Sequence, residues 1–500
     1  MYNKLVKHAS LFLYLDGEEK MKKANIINWP SLKDAGNRKK INIVTRNADL
    51  NITENLKNWS KGKTFCLLTY GCQANVRDSE ILKGYFQLLN MTETDDEVKA
   101  DVVLFNTCAI RENAELKIYG ELGRLKKQCL ANPQKIVGIC GCMAQEEKPM
   151  DFIRKHFPYV NLVFGTHNID DIFALLDACI TSEERIFDVI SSQGGIVENL
   201  PSVRLDANKA FVNIMYGCDN FCTYCIVPYT RGRQRSRKIE DIVNEVKCLK
   251  DKGYKEVTLI GQNVNAYGFD LEEGNSFDVL LAAVAETNIP RVRFTTSHPA
   301  YFKEEVFKVM AKYSNIMPSL HLPLQSGSDA ILSKMNRHYD SKHYLELVDL
   351  LRKYIPDVYL TTDIIVGFPN ETEEEFEETL ALCQKVKYDS AFTFVFSPRE
   401  GTPASRMKDE TSEEAKKDRF NRLKKLIDQG IEESSGKQVG KIVEVLFDTV
   451  SKKDDNRVSG YSRHNRLVHV NGDSSLIGQI RKVKITESHT FSLIGELLDD

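Results

Sequence analysis

Twice along this chain a series of short apolar runs breaks off at polar strand ends where helical patterns begin, and that alternation constrains the fold more than any other feature. In the first series Phe65-Cys66-Leu67-Leu68-Thr69-Tyr70 ends at Gly71-Cys72, and Val102-Val103-Leu104-Phe105-Asn106-Thr107 ends at Cys108. Ile136-Val137-Gly138-Ile139 then ends at Cys140-Gly141-Cys142. Helical patterns follow at Ser79 to Phe86, at Arg111 to Lys127 and from Gln145-Glu146-Glu147. Such alternation predicts a doubly wound parallel sheet. The carboxyl ends of its strands line one crevice, so Cys72, Cys108 and one of Cys140 and Cys142 converge there although far apart in sequence. A lone buried cysteine at a strand end is ordinarily packing. Three in register, each beside Gly or Thr rather than inside an apolar run, favour a shared metal cluster.

The second series predicts strands over 209–216, 256–261, 291–297, 319–325, 358–366 and 390–396 with helices between them, a partial (β/α)6 barrel whose active site sits at the strand carboxyl ends. Its first strand runs into Gly217-Cys218-Asp219-Asn220-Phe221-Cys222-Thr223-Tyr224-Cys225, a C-x3-C-x2-C loop. Three soft thiolates on one loop suit an iron–sulfur cubane, which takes four ligands and so keeps one iron open. A zinc knuckle or a disulfide loop is the plainer alternative. Zinc motifs usually pair C-x2-C with a second ligand pair, and none follows here. Cys66, Cys129, Cys179, Cys248 and Cys383 lie inside strand or helix patterns and read as structural.

The chain has 500 residues, a net charge of −3 and 12 cysteines. A net charge this close to zero excludes a global positive field, so any nucleic acid must be met by local patches. Twelve cysteines without a secretory signal point to a reducing compartment and a cytoplasmic protein. The run Leu11 to Leu15 is too short to span a membrane. Residues 1–62 carry no sustained period and read as an extension of low order, with Met21 as a second candidate start. Residues 168–205 read as a hinge, so the expected domains are 63–181, 204–434 and 437–500.

Arg231-Gly232-Arg233-Gln234-Arg235-Ser236-Arg237-Lys238 follows the cysteine loop, and blocks of this density bind phosphates or carboxylates more often than they support a core. Asp363 stands in an otherwise apolar strand and needs a partner or a task. His298 reads as a turn residue, and Glu371 to Glu378 as a solvated helix start. Beyond Lys437, β runs separated by Gly, Asn and Asp predict a small all-β barrel. Arg457, Tyr461, Arg463, His464 and Arg466 give it a cation-plus-aromatic surface of the kind that suits single-stranded RNA.

With these residues assembled, the chain resembles the tRNA methylthiotransferases of the radical S-adenosylmethionine (SAM) superfamily from about Lys63 to the C-terminus. The marks are Thr69-Tyr70-Gly71-Cys72-Gln73-Ala74-Asn75, Asn106 to Ala114, Cys140-Gly141-Cys142-Met143-Ala144-Gln145 and Tyr216 to Arg237. Ala74 stands where Met is more usual. Relatives that act on threonylcarbamoyl-adenosine in tRNA, or on a ribosomal protein, lack the Arg111-Glu112-Asn113-Ala114 that follows here.

The resemblance implies a methylthio group placed at C2 of N6-isopentenyladenosine-37 in tRNA, with SAM as both methyl donor and radical source. That carbon has no acidic proton, which suits hydrogen abstraction by a carbon radical. Two 4Fe-4S clusters are implied. Cys218, Cys222 and Cys225 hold the one that cleaves SAM, while Cys72, Cys108 and Cys142 hold an auxiliary cluster that carries the sulfur, the resemblance selecting Cys142 over Cys140. Their places at the strand ends and beside the cysteine loop make Tyr224, Gln262, Gln325, Asp363 and Arg235 the candidate SAM contacts, and the two basic stretches make Arg231, Arg233, Arg463 and Arg466 the candidate RNA contacts. The resemblance makes the final barrel TRAM-like. It further implies a flavodoxin or ferredoxin as electron donor, an iron–sulfur carrier protein, and a monomer. Two rival readings are a radical SAM RNA enzyme whose second cluster only relays electrons, and a non-catalytic RNA-binding scaffold; the scaffold leaves six ordered cysteines unexplained.

Overall fold

The computed structural model describes residues 43–109, 112–182, 184–190, 195–451 and 456–498, with 112–114 described by backbone alone. The low-order reading of residues 1–42, the Ile110 and Arg111 positions of the family motif, and Ser191 to Gly194 of the expected hinge lie outside the described residues. The chain divides into two compact units. The first takes the residues up to Leu205 with Tyr216–Asp219 and Ile226–Arg235; the second takes Asp206–Met215, Asn220–Cys225 and Ser236 onward.

The first unit is built on a six-stranded sheet. After β1 (Thr45–Asn47), its strands are β2 (Thr64–Tyr70), β3 (Thr92–Glu93), β4 (Val102–Thr107), β5 (Ile136–Gly141), β6 (Leu162–Phe164) and β7 (Ile186–Asp188). They lie in the order β3-β2-β4-β5-β6-β7, every pair parallel. Period-2 geometry sends alternate side chains to opposite faces. Phe65, Val102 and Leu104 pack with Ile81, Tyr85 and Phe86 of the helix Gln73–Leu88 on one face. Cys66, Val103 and Phe105 pack on the other with Ile118 and Leu122 of the helix Glu112–Ala131. Burial on both faces explains why these strands read as continuous apolar runs.

The chain leaves β2 toward β3 on one side and returns to place β4 on the other, so the order in which strands are added reverses between β2 and β4. Ligands of doubly wound sheets bind at such a reversal, outside the carboxyl ends of the strands. Those ends carry Cys72 and Cys108.

Two expectations are corrected here. Residues 43–62, expected to be of low order, hold β1 and the helix Glu54–Trp59, which is capped by Thr53 and buries Leu56 in the core of this unit. The expected hinge contains β7, the sixth strand of the sheet, and β8 (Ile196–Glu198), which pairs in parallel with β1. Three-residue strands are too short to show a period.

The second unit carries the barrel strands β9 (Lys209–Asn213), β12 (Glu256–Ile260), β13 (Arg291–Phe294), β14 (Ser319–His321), β15 (Tyr359–Val366) and β16 (Ser390–Val395), all as parallel pairs. They form two three-stranded sheets, β13-β12-β9 and β14-β15-β16. The short strands β10 (Met215–Tyr216) and β11 (Arg235–Ser236) pair with each other. At the end of the chain, β17 (Ile442–Val450), β18 (Arg457–Ser462), β19 (Leu467–Asn471), β20 (Ile480–Ser488) and β21 (Leu493–Leu497) close into a barrel.

Within this unit the small barrel is held to the parallel strands by buried arginines. Arg291 is fully buried and donates to the Tyr461 carbonyl at 2.8 Å and to Glu444 Oε1 at 3.2 Å. Arg293 reaches Glu256 Oε1 at 2.9 Å and the Ser462 carbonyl at 2.8 Å. Arg466, expected on an exposed RNA-binding surface, is instead buried. It donates to Asp389 Oδ1 at 2.8 Å and lies over the Tyr359 ring at 4.5 Å. His464 meets Asp357 Oδ2 at 3.0 Å, and the Arg463 guanidinium donates to the Ser314 carbonyl. A buried guanidinium needs this number of acceptors, which composition cannot reveal.

Candidate functional site

The residues that end β2, β4 and β5 are paired across the sheet, Tyr70 with Thr107 and Thr107 with Gly141. Cys108 and Cys142 follow their strands directly, and Cys72 follows one residue later, so three adjacent strand ends about 4.8 Å apart each deliver a thiol to one crevice. Gly141 is required by its backbone. It sits at φ 88°, and a Cβ there would lie 2.4 Å from Asn106 Oδ1.

A buried polar network fixes these ends. Asn75 Oδ1 accepts from the Cys72 N–H at 3.3 Å while its Nδ2 donates to Asn106 Oδ1 at 2.9 Å. Asn106 in turn donates to Ser79 Oγ at 2.9 Å, and the Thr107 hydroxyl donates to the Cys140 carbonyl at 3.0 Å. Asn75 escaped the sequence reading as a functional residue. Its one signal is its place in the first turn of the helix that Cys72 opens.

Burial pushes the Cys142 thiol up to about 12; the Arg231 guanidinium opposes that shift, and Cys108 and Cys72 add to it. A thiol so placed stays protonated unless a metal takes the proton's place, since coordination deprotonates it outright. Among the described residues no three His, Cys, Asp or Glu side chains close on a point as the ligands of one ion do. A cubane binds each thiolate through a different iron and so takes a wider triangle. Three strand-end thiols, all without disulfide partners, fit that donor set. Cys140, on the strand itself, is packed in the core with Leu104 and Leu162.

Arg231 belongs to the same unit. Its Nε donates to Cys142 Sγ at 3.2 Å and its Nη2 to Asp78 Oδ2 at 2.6 Å, with all three side chains buried. The sequence reading places Arg231 on RNA, whereas the structure places it beside a sulfur. Arg235 is buried as well; it donates to the Arg231 carbonyl at 3.3 Å and lies 5.9 Å from the Tyr216 ring. Arg233 forms a bidentate pair with Asp219, at 2.6 and 2.8 Å. Cys218 is set by Gly217, whose φ of 73° brings its Cα so close to Arg233 that a Cβ would stand 2.1 Å from the Arg233 carbonyl oxygen.

In the second unit, the loop around Cys222 is pinned by its backbone. Asn336 Nδ2 donates to the Asn220 and Phe221 carbonyls at 3.1 Å each, Thr223 N–H donates to the Met335 carbonyl at 3.0 Å, and the Cys225 N–H closes a turn on the Cys222 carbonyl at 2.9 Å. Tyr224 packs against Ile331, Met335, Phe368 and Ala404. Arg337 Nη1 donates to Cys222 Sγ at 3.4 Å, while its Nη2 is buried with no hydrogen-bond partner among the described residues. A buried donor left unmade costs about 1–3 kcal/mol, and an anionic cluster held on this loop would supply the missing acceptor. Nothing in the sequence singles out Arg337.

The remaining strand-end residues differ in what they do. Gln325 is buried at φ 68°, and its backbone exchanges bonds with Asp363 and Ile365 on β15, at 2.8 and 2.9 Å. Asp363 finds the partner its position demands in His321, Nε2 to Oδ2 3.3 Å, across the β14–β15 pair. Gln262 is half-buried just after β12. His298 is a turn residue, as expected, its Nδ1 accepting from the Ala300 N–H at 3.2 Å.

Comparison with known proteins matches residues 212–383 to the radical SAM superfamily, 64–165 to the uncharacterized protein family UPF0004 and 436–498 to the TRAM domain. The chain is 50% identical over 477 residues, 95% of its length and 94% of the relative's, to the tRNA-2-methylthio-N(6)-dimethylallyladenosine synthase of Bacillus cereus strain B4264. It is 49% identical to the synthase of that name from Geobacillus kaustophilus strain HTA426, over 94% of this chain and 89% of that one. Among solved structures, the radical S-adenosylmethionine methyltransferase TsrM from Kitasatospora setae superposes with a TM-score of 0.52 at 14% identity, covering 69% of this chain and 75% of that one. That last likeness is one of fold.

Proposed function

The chain belongs to the family of the tRNA-2-methylthio-N(6)-dimethylallyladenosine synthases, within the radical SAM superfamily, and from that premise we propose which of its residues carry the reaction. It places a methylthio group on C2 of N6-isopentenyladenosine-37 in tRNA. When bound, SAM and the two 4Fe-4S clusters supply the carbon radical, the methyl group and the sulfur. Cys218, Cys222 and Cys225 hold the cluster that meets SAM; Cys72, Cys108 and Cys142 hold the auxiliary one.

The protein's own residues orient and insulate these groups. The Asn75–Asn106 pair fixes the strand ends that present Cys72 and Cys108, and Arg337 donates to the Cys222 sulfur. Tyr224, Gln262, Gln325, Asp363 and Arg235 stand as the SAM contacts, with Asp363 held in place by His321. Of the four arginines expected on RNA, Arg233 and Arg463 keep that assignment. Arg233 is paired as well, but it is half-buried and its partner Asp219 is exposed, whereas Arg231 and Arg466 are themselves buried on Asp78 and Asp389, and we assign those two to support instead.

A flavodoxin or ferredoxin as electron donor, an iron–sulfur carrier protein, a monomeric state and a cytoplasmic location complete the proposal. No helix among the described residues is long and apolar enough to cross a membrane. The observation that carries the reading is the 50% identity over 95% of the chain, joined to two separate three-cysteine sets. Mass analysis of tRNA nucleosides from cells with and without the protein tests it. The 2-methylthio derivative should vanish without it and the isopentenyl precursor accumulate; an unchanged nucleoside profile contradicts the reading.

A further inference from the structure

Arg231 lies inside the span that matches the radical SAM superfamily, yet Ile226–Arg235 folds as part of the first unit. The segment is pinned there. The Thr166 hydroxyl donates to the Thr230 carbonyl at 2.6 Å, the Arg231 N–H donates to the Val227 carbonyl at 2.8 Å, and Ile226 and Tyr229 pack on Cys142 and Ala109. Its outcome is a buried line of three groups, the Asp78 carboxylate, the Arg231 guanidinium and the Cys142 sulfur, joined at 2.6 and 3.2 Å. Arginine alone among side chains offers a rigid fork that donates to a carboxylate with one nitrogen and to a sulfur with another.

We propose that the Asp78–Arg231 pair is a positioning element that orients the Cys142 sulfur and sets the reduction potential of the auxiliary cluster. The inference rests on the ligand set Cys72, Cys108 and Cys142 proposed above. Reduction adds negative charge to a cluster, and hydrogen bonds to its sulfurs and nearby net charge determine how readily that happens. A guanidinium in a dry site stabilises the reduced state strongly, since little solvent screens it. Asp78 offsets part of that field while holding the guanidinium in place. The two residues of one ion pair therefore act on the potential in opposite senses. A pair that served folding alone would show no such opposition, because losing either member leaves the other buried and unpaired.

The test is potentiometric titration of the full-length, reconstituted protein, followed by electron paramagnetic resonance. The auxiliary signal is identified as the one that survives in a Cys218/Cys222/Cys225→Ala variant. Arg231→Gln should move the auxiliary midpoint to more negative potential, Asp78→Asn should move it to more positive potential, and Arg231→Lys should fall between wild type and Arg231→Gln. The other cluster's midpoint should stay in place. Shifts of the same sign in Arg231→Gln and Asp78→Asn, or no shift with iron content intact, overturn the inference. Loss of the auxiliary signal in Asp78→Asn and Arg231→Lys alike also overturns it, in favour of a purely structural pair. Failure of the underlying ligand assignment looks different. In that case wild-type protein itself holds about four irons per chain rather than about eight, and the triple cysteine variant holds none.

Discussion

The guanidinium of Arg337 meets the sulfur of Cys222 at 3.4 Å, although 115 residues separate them. It is a charged donor, half-buried, on a buried cysteine, and hydrogen bonds to charged groups contribute about 1.5–3 kcal/mol. Arg337→Gln should therefore make the SAM-cleaving cluster harder to reduce. We expect 5′-deoxyadenosine formation to fall about tenfold, equivalent to about 1.4 kcal/mol, and a stronger reductant to recover most of the loss. A rate equal to wild type with a weak reductant would show that the contact has no electronic role.

His298 is held neutral. Burial, reinforced by the Arg337 and His338 charges, pushes it down to about 2. Unfolding returns it to about 6.5, so between these values the unfolded state binds the extra proton and stability falls as pH drops below about 6.5. At pH 5 this group alone should cost about 2 kcal/mol relative to pH 8. Denaturant titrations of wild type and His298→Gln at the two pH values check it. The variant should lose that part of the pH dependence, and equal slopes would refute the neutral buried form.

Arg466 holds Asp389 from a buried position over the Tyr359 ring. Removing one partner of a buried pair costs about 3–5 kcal/mol, because the other charge is left uncompensated. Arg466→Ala should accordingly lower the denaturation midpoint of the unit that contains the closed barrel. Arg466→Ala combined with Asp389→Asn should recover part of it. Undiminished stability with weakened tRNA binding would return Arg466 to the RNA surface.

These residues also mark where the sequence stops being legible. Two barrel strands could be placed closely because each is rich in β-branched and aromatic residues and bounded by turn signals: Tyr359–Val366 and Ser390–Val395 stand within a residue or so of their expected limits, whereas Ser319–His321, expected over 319–325, lacks such residues and ends four residues early. The strand-end cysteines were legible because a parallel sheet aligns its carboxyl ends whatever lies between them. Pairing was not. Arg231 with Asp78, His321 with Asp363 and Arg337 with Cys222 join residues from different elements, and a run of arginines looks alike whether it faces phosphate or an internal carboxylate. The final barrel shows the same limit. Val458, buried in β18, sits in a strand where Ser459, Gly460 and Ser462 outnumber the apolar residues, so that strand does not announce itself.

The central claim is that radical formation and sulfur transfer belong to different metal sites, and one pair of variants tests it. Cys222→Ala removes a ligand of the SAM-cleaving cluster, so both 5′-deoxyadenosine and methylthiolated tRNA should be lost. Cys108→Ala, at the end of β4, touches only the auxiliary set, so SAM cleavage should persist while the methylthio product disappears. The measurement is chromatography of both products from each variant, after confirming that the untouched cluster still assembles. Methylthiolated tRNA from Cys108→Ala at near wild-type yield would contradict the account, because the sulfur would then have another carrier.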